Sequence, residues 1–260
     1  SLPETPLLAV LPGTGGLTRV VDKRKVRKDL ADVFSTTAEG VKGKRAVQWG
    51  LVDAVAPMSR FDDAVAARAR AMADAVTLDK PAEGITLPPA GPTIDGDTWQ
   101  YESVTVQLDP EARTATLTVR APADAGPIDA AAIRAAGARW WPLRAFRELD
   151  DAILRLRFNA SEIGTWLLRT EGDSAAVFAI DERLHALADD WLVHETRHLI
   201  KRVLKRLEVS ARSLFAIVEA DSCFVGTLFE IALAADRIYM LDDPNGGVTL
   251  GVSVMNGGPY

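Results

Sequence analysis

The sequence predicts an α/β protein built from two units that a linker joins. Residues 99–240 alternate between segments in which every second residue is apolar and segments with apolar residues three and four positions apart. Strands that alternate with helices in this way form layered α/β cores. Residues 79–98 are rich in proline and glycine, as is typical of a linker. We therefore expect a first unit over 1–78, a linker over 79–98 and a second unit over 99–260.

The composition is that of an ordinary globular protein and argues against several other classes. Of the 260 residues, 48% are hydrophobic and 25% are charged, which suffices for one sizeable core or two small ones. The net charge of −6 argues against wholesale binding of nucleic acid. No apolar run reaches the about 18 residues that a membrane span needs, and we expect no signal peptide. Cys223 is the single cysteine, so it predicts a buried structural thiol in a reducing, cytoplasmic compartment.

The first unit opens with a carboxylate between two prolines. Pro3 and Pro6 flank Glu4, and their rings bias the neighbouring backbone towards extended geometry, which would hold the acid in place. An apolar run over 7–11 follows and predicts a strand. Next comes a glycine-rich turn at the start of a helix, where free backbone N–H groups suit an anion or a developing oxyanion. The candidate ligand-binding residues of this turn are Gly13, Gly15 and Gly16. The alternative is a purely structural loop, strand and capped helix.

The remainder of the first unit is predicted to be largely helical. Residues 19–28 contain six basic residues, which indicate either a solvated helix face or a patch that attracts phosphate. Apolar residues at helical spacing over 61–76 predict an amphipathic helix that packs through one face. The residues of this stripe are Phe61, Val65, Ala69, Met72 and Val76.

The second unit begins with a predicted β-hairpin. Apolar residues alternate with polar ones over 104–108 and again over 115–119, with a turn at 109–111 between them. Residues 121–139 are alanine-rich and fit more than one type of structure. Beyond them, the apolar spacing predicts helices over 143–157, 181–207 and 228–235, and strands over 163–168, 214–218 and 237–240.

The predicted helix over 181–207 contains a possible metal motif. His194, Glu195 and His198 satisfy the pattern H-E-x-x-H, in which two histidines one helical turn apart bind zinc and the glutamate acts as general base. On a helical projection Lys201 and Lys205 share the face of these histidines, and a cation beside a metal site weakens binding by repulsion. Only one further histidine, His185, is present. We therefore interpret the motif as a solvated helix face and expect no metal.

Three short motifs of the first unit carry a resemblance to a known family. The order LPE, then PGTGG, then RAVQWGLVDAV ahead of a final helix is similar to the second half of the crotonase (enoyl-CoA hydratase/isomerase) superfamily. The resemblance implies a ββα spiral fold and makes Glu4, which matches the glutamate of the LPE motif, a catalytic acid or base. Leu8 departs from the pattern, because the family often has glycine at that position. The partner acid and the oxyanion donors of this unit are expected upstream of Ser1.

The second unit resembles the first half of the same superfamily, in a degenerate form. The segment FAIVEADSCFVGTLFEIALAADRIYM keeps a Glu and an Asp in register with the family, Glu230 and Asp236. The resemblance places the amide of an oxyanion hole on Thr227, although the family's glycine triplet is replaced there. Gly247 stands where the resemblance puts the LPE glutamate. The second unit is therefore expected to be a structural or dimerising domain, with Glu230 as a secondary candidate acid.

The resemblance implies an enzyme that acts on a coenzyme A thioester without a cofactor. Within the superfamily, the first unit is most similar to the ring-cleaving lyases of aerobic benzoate breakdown, which open 2,3-epoxybenzoyl-CoA with water and release formate. An acyl-CoA partner and a homodimer are implied with it, and neither nucleic acid nor membrane is expected. The alternatives are an enoyl-CoA hydratase or isomerase, a zinc hydrolase that uses residues 194–198, and a scaffold without activity.

Overall fold

The computed structural model describes residues 2–76 and 84–260, which form two compact units, Ser1–Lys80 and Pro81–Tyr260. Each unit is described by itself below. Within the described residues, no helix is both long and apolar enough to cross a membrane.

The first unit is helical throughout its described part. Its helices are α1 (Glu4–Leu8), α2 (Gly16–Thr18), α3 (Lys28–Thr36), α4 (Gly43–Gln48) and α5 (Phe61–Asp74), with a π-helical turn at Arg19–Lys23 and a 3₁₀ turn at Met58–Arg60. The buried apolar side chains of this unit are few, namely Val26, Ala31, Phe34 and Ala46. Such a small core is short of what an independent domain needs for stability.

The predicted strand over 7–11 is wrong, because α1 begins at Glu4 and runs through Leu8. Pro3 adopts helical dihedral angles and Pro6 lies in the first turn of the helix, where the missing N–H of proline removes no helical hydrogen bond. Ala9, in a left-handed conformation at φ 54°, ends the helix. The prolines thus position Glu4 at a helix start instead of in an extended loop.

Helix α5 forms as predicted, but its apolar stripe does not pack within the described unit. Phe61, Val65 and Met72 are 49%, 51% and 57% exposed, and no residue of this helix is buried. The prediction that the helix packs through this face is therefore wrong for the described residues. Apolar periodicity shows which face of a helix can be covered, but it does not supply the covering surface.

A seven-stranded sheet organises the second unit, with its strands in chain order. The strands are β1 (Thr93–Asp95), β2 (Thr98–Gln100), β3 (Val104–Asp109), β4 (Thr114–Arg120), β5 (Thr165–Glu171), β6 (Ser213–Val218) and β7 (Arg237–Met240). Strands β1 to β4 are antiparallel, and β4 to β7 are parallel. Strand β1 lies inside the segment predicted as a linker, since Gly96, at φ 54°, turns the chain back into β2.

Five helices accompany this sheet: α6 (Ala130–Ala136), α7 (Trp141–Asn159), α8 (Ser174–Ala186), α9 (Trp191–Glu208) and α10 (Gly226–Leu233). The single helix predicted over 181–207 is wrong, because the chain breaks between α8 and α9. Asp190 causes the restart, since its carboxylate accepts hydrogen bonds from Leu192 N–H (3.0 Å) and Val193 N–H (3.4 Å).

The core of the second unit lies between the sheet and its helices. The predicted alternation of the hairpin is confirmed, with Val104, Val106 and Leu117 all fully buried. Trp166 of β5 and Phe146 of α7 are the largest side chains without solvent exposure. Parallel strands joined through helices, with an antiparallel hairpin in front, confirm the predicted α/β class and agree with the ββα order that the resemblance implies.

Candidate functional site

Glu4 is the first residue of α1 and is half-buried. Within the described residues its side chain has no hydrogen-bond partner, while its backbone carbonyl accepts from Val10 N–H at 3.3 Å. The glycine turn lies close by, because a Cβ on Gly16 would stand 3.2 Å from Leu2 Cδ2. Gly15 has φ 81°, which favours glycine, and its N–H donates to Pro12 O at 3.0 Å. The structure thus brings the turn beside Leu2, in the segment that precedes Glu4.

The guanidinium group of Arg24 binds both ends of the GLVD segment, residues 50–53, of the first unit. Arg24 donates to the Gly50 carbonyl at 2.8 and 3.1 Å and to both carboxylate oxygens of Asp53 at 3.2 Å. Arg27 forms a second ion pair, with Asp29. All six basic residues over 19–28 are exposed, and two of them, Arg24 and Arg27, are paired with carboxylates.

In the second unit, the backbone amide predicted for an oxyanion hole already donates a hydrogen bond within the protein. Thr227 N–H donates to Asp181 Oδ2 at 2.8 Å, and the Thr227 hydroxyl donates to Asp181 Oδ1 at 2.5 Å. The hydroxyl of Ser253 completes the cluster by donating to Asp181 Oδ2 at 2.6 Å. Asp181 and Thr227 are both fully buried. A carboxylate of the protein itself therefore lies where the prediction placed a ligand oxygen, and the expected donor is not free.

Asp181 occupies this position because residue 226 is glycine. Gly226 has φ 50°, and a Cβ at this position would lie 2.0 Å from Asp181 Oδ2. Burial raises the pKa of Asp181 above its ordinary value, against the opposing effect of the hydrogen bonds from Ser253 and Thr227. The cluster is thus a closed arrangement of a buried acid and three donor groups, which we call the Asp181 cluster.

Glu230 belongs to the surroundings of this cluster. Its Oε1 accepts from Asn256 Nδ2 at 2.7 Å, and the same amide group donates to the Gly226 carbonyl at 3.0 Å. Tyr260 approaches from another side, with its hydroxyl 2.8 Å from Thr227 Oγ1, and burial raises the pKa of this phenol. Glu230 therefore has the local partner that a structural role requires. Asp236 is likewise engaged, since it accepts from Leu214 N–H at 2.8 Å at the start of β6.

Gly247, in the position of the missing acid, lies in a loop that Asp243 holds. Its N–H donates to Asp243 Oδ2 at 2.7 Å, and the backbone amides of Asn245 and Gly247 lower the pKa of Asp243. Gly247 also lines a polar hollow of about 740 Å³ at the carboxyl ends of β4, β5 and β6. Parallel strands commonly present ligand sites at this edge. Here, however, the basic side chain at the edge, Arg120, already pairs with Glu171 at 3.6 Å.

The H-E-x-x-H motif lies on the exposed side of α9. His194, Glu195 and His198 are all exposed, and the two histidine Nε2 atoms are 3.1 Å apart. Across residues 2–76 and 84–260, no three His, Cys, Asp or Glu side chains are grouped so that they could hold a metal ion. A zincin needs a third protein ligand, so the described residues do not support the zinc-hydrolase alternative.

The prediction that Cys223 is buried is confirmed, because this thiol is fully buried and burial raises its pKa. Ser174 Oγ is its polar neighbour at 3.7 Å. A buried thiol with a raised pKa is a poor nucleophile.

Sequence reasoning missed Asp181, Ser253 and Asn256. Ser253 and Asn256 form a capping box on a 3₁₀ turn at Val254–Gly257, a pattern that the spacing S-x-x-N could have indicated. For Asp181 the signal was weaker, because its hydrogen-bond partner Thr227 is 46 positions away in the sequence.

Comparison with known proteins supports the resemblance. No family model matches the chain. The chain is 52% identical, over 262 residues, to the protein named benzoyl-CoA-dihydrodiol lyase of Aromatoleum evansii; the match covers 100% of the chain and 47% of that protein. The chain thus spans about half the length of the curated relative that it matches. The predicted resemblance to a lyase of benzoate breakdown is therefore confirmed by the similarity to a benzoyl-CoA lyase.

Solved structures with some likeness are enoyl-CoA hydratases. One from Geobacillus kaustophilus HTA426 is 15% identical with a TM-score of 0.36, over 55% of this chain and 47% of that chain. An enoyl-CoA hydratase/isomerase from Marinobacter aquaeolei is 14% identical with a TM-score of 0.35, over 53% and 48%. TM-scores this low carry no argument about relationship. The relationship therefore rests on the 52% sequence identity to the lyase.

Proposed function

We propose that this chain is part of a ring-cleaving lyase that acts on 2,3-epoxybenzoyl-CoA, with Glu4 as an acid or base. The observation that supports it most is the 52% identity along the whole chain with a benzoyl-CoA-dihydrodiol lyase. All three motifs that carried the original resemblance, including those around Glu4 and around Asp53, lie within that match. The relative's name gives the benzoyl-CoA moiety and the lyase reaction class; the epoxide and the products are our proposal.

The reaction defines what the site has to provide. Ring opening converts 2,3-epoxybenzoyl-CoA to 3,4-dehydroadipyl-CoA semialdehyde and formate, and the atoms balance when two water molecules are taken up. A positioned carboxylate that moves a proton to or from water or the epoxide oxygen typically contributes about 10²–10⁴-fold to the rate. Backbone N–H donors on the thioester oxygen contribute about 3 kcal/mol each in comparable sites.

Glu4 is the acid whose contacts suit this role. Its side chain is half-buried and has no protein partner in the described part of the chain, so it is free to exchange a proton with a bound molecule. By contrast, Glu230 is hydrogen-bonded to Asn256, and the Thr227 amide donates to Asp181. We therefore assign the chemistry to the first unit and a structural role to the second. Gly13, Gly15 and Gly16 remain the candidates for contact with the substrate.

The test compares two glutamates of the first unit in the complete protein. Glu4→Gln is expected to abolish formate release from 2,3-epoxybenzoyl-CoA while it leaves thioester binding within a few-fold of wild type. Glu39→Gln, at an exposed position in the same unit, is the matched control and should retain wild-type turnover. Formate release by Glu4→Gln at the wild-type rate would exclude the assignment of this residue. Hydration of crotonyl-CoA without formate release would instead favour an enoyl-CoA hydratase.

Three further predictions belong to the complete protein. We propose that it is a homodimer, that it works in the cytoplasm and that it needs no cofactor. Support for them comes only from the resemblance and from the composition.

A further inference from the structure

We propose that His194 and His198 form a two-histidine binding site for a divalent transition-metal ion of the copper–nickel–zinc group. This site is independent of the lyase function proposed above. It rests on the geometry of one exposed helical turn of α9 and accounts for a motif that the lyase function leaves unused.

The spacing of the two nitrogen atoms suits chelation. The Nε2 atoms lie 3.1 Å apart, with ring centroids 4.5 Å apart and ring planes inclined at 69°. A metal at the usual metal–nitrogen distance of about 2.05 Å from both atoms would subtend an N–metal–N angle of about 98°. That angle lies between the square-planar or octahedral value and the tetrahedral one, so the pair can serve any of these geometries.

The helix holds the two rings in register without a metal. The residues between and beside the histidines, Val193, Thr196 and Ile200, are buried and fix this turn of α9 against the core. Thr196 strengthens the anchorage by donating to the Leu192 carbonyl at 2.7 Å. Since both histidines are exposed, a metal ion reaches them without any rearrangement of the core. A chelate that is already assembled loses little conformational entropy on binding.

The two imidazole ligands determine which metal ions the site should prefer and how tightly it should bind them. Imidazole nitrogens favour Cu²⁺, Ni²⁺ and Zn²⁺, with Cu²⁺ strongest, and they do not favour Mg²⁺ or Ca²⁺. Within the described residues there is no third His, Cys, Asp or Glu ligand, so water completes the coordination shell. Lys201 and Lys205 on the same face oppose binding by repulsion. The site is therefore weaker than a closed structural zinc site and differs from a hydrolytic one.

The experiment titrates tag-free protein with Cu²⁺ and, separately, with Zn²⁺ against a competing chelator dye. Wild type is expected to bind one equivalent of each ion above any background. His194→Gln and His198→Gln should each weaken that equivalent at least tenfold. His185→Gln, which alters the third histidine, exposed on α8, is the matched control and should bind as wild type does. Glu195→Gln should also leave binding unchanged, because the proposed ligands are the two imidazoles alone.

Electron paramagnetic resonance of the Cu²⁺ complex gives a second measurement that does not depend on affinity. Wild type and His185→Gln should show hyperfine structure from two equivalent nitrogens. His194→Gln and His198→Gln should each show hyperfine structure from one nitrogen. The proposal is overturned if His194→Gln and His198→Gln bind as tightly as wild type, or if His185→Gln loses the same equivalent. A loss in Glu195→Gln as large as in the histidine variants would overturn the two-ligand assignment.

Discussion

The two units of this chain differ in whether the polar groups of their candidate sites already have hydrogen-bond partners within the protein. In the first unit Glu4 is half-buried and has no side-chain partner in the described part of the chain. In the second unit the Thr227 amide and hydroxyl are fully buried and donate to Asp181, which also accepts from Ser253. An unpaired acid is available for chemistry, whereas a closed cluster is available only for stability.

This difference shows how a buried N–H group at a helix start can be satisfied without a bound ligand. A buried N–H group needs an acceptor whether or not a ligand supplies one. In the second unit Asp181 supplies it permanently, so the helix start at Gly226 stays satisfied without a bound molecule. The cost is a carboxylate in the interior, which must be hydrogen-bonded to be tolerated.

The strongest test of this contrast removes the acceptor of the cluster. Asp181→Ala leaves the Thr227 amide, its hydroxyl and the Ser253 hydroxyl without their shared partner, and is expected to cost about 3–5 kcal/mol in the free energy of unfolding. Urea denaturation followed by circular dichroism measures this loss. Asp189→Ala, at an exposed position in the turn before α9, is the control and should change stability by less than about 0.5 kcal/mol. Equal stability of the two variants would show that the cluster does not stabilise the second unit.

The second test adds an atom where the structure leaves no room. Gly226→Ala places a methyl group on the Asp181 carboxylate and a side chain at φ 50°, so we expect a loss of about 2–4 kcal/mol. In an Asp181→Ala background the 2.0 Å clash is gone, while the backbone strain and the 3.1 Å approach to Ser253 Oγ remain, so the same substitution should cost less there. A double-mutant cycle measures this coupling. Strictly additive losses would contradict the close approach of residue 226 to the carboxylate.

The third test uses the pKa of Asp181. Burial raises it in the folded protein above the ordinary value, so the folded state holds this proton more tightly than the unfolded state. As the pH falls through the folded pKa towards about 4, the cost of the ionised form disappears and wild type gains stability from this group. Asp181→Asn lacks this gain. The difference in unfolding free energy between wild type and Asp181→Asn should therefore shift in favour of wild type as the pH is lowered.

Local patterns were sufficient where the sequence predicted the fold correctly. The hairpin over 104–119 and the strands at 214–218 and 237–240 follow from period-two apolar alternation or short apolar runs, and these signals depend only on neighbours in the chain. The break between α8 and α9 was not predicted, because apolar spacing alone does not show that Asp190 caps the second helix. The uncovered stripe of α5 was missed because amphipathicity does not reveal what lies opposite a helix.

The same distinction between local patterns and tertiary contacts applies to the candidate site. Glu4 could be proposed from sequence because its motif is contiguous and because a family resemblance implies its role. The Asp181 cluster could not be found in this way, since it joins residues 181, 227 and 253 through tertiary contacts of the folded second unit. Only the folded structure shows that the Thr227 amide, which the sequence leaves available to a ligand, already has an acceptor.

The smallest expected effect concerns the first unit, whose core is small. Arg24 fastens the Gly50 carbonyl and the Asp53 carboxylate, but both charged side chains are partly or largely exposed, so Arg24→Ala should cost only about 1 kcal/mol. Thermal unfolding at low and at high salt measures it, because high salt should shrink the part due to the ion pair. Arg27→Ala, which removes the more exposed pair with Asp29, is the control and should cost less still. If Arg24→Ala proved as costly as Asp181→Ala, the first unit would depend on its polar contacts as much as the second does, and the contrast between an open and a closed unit would fail.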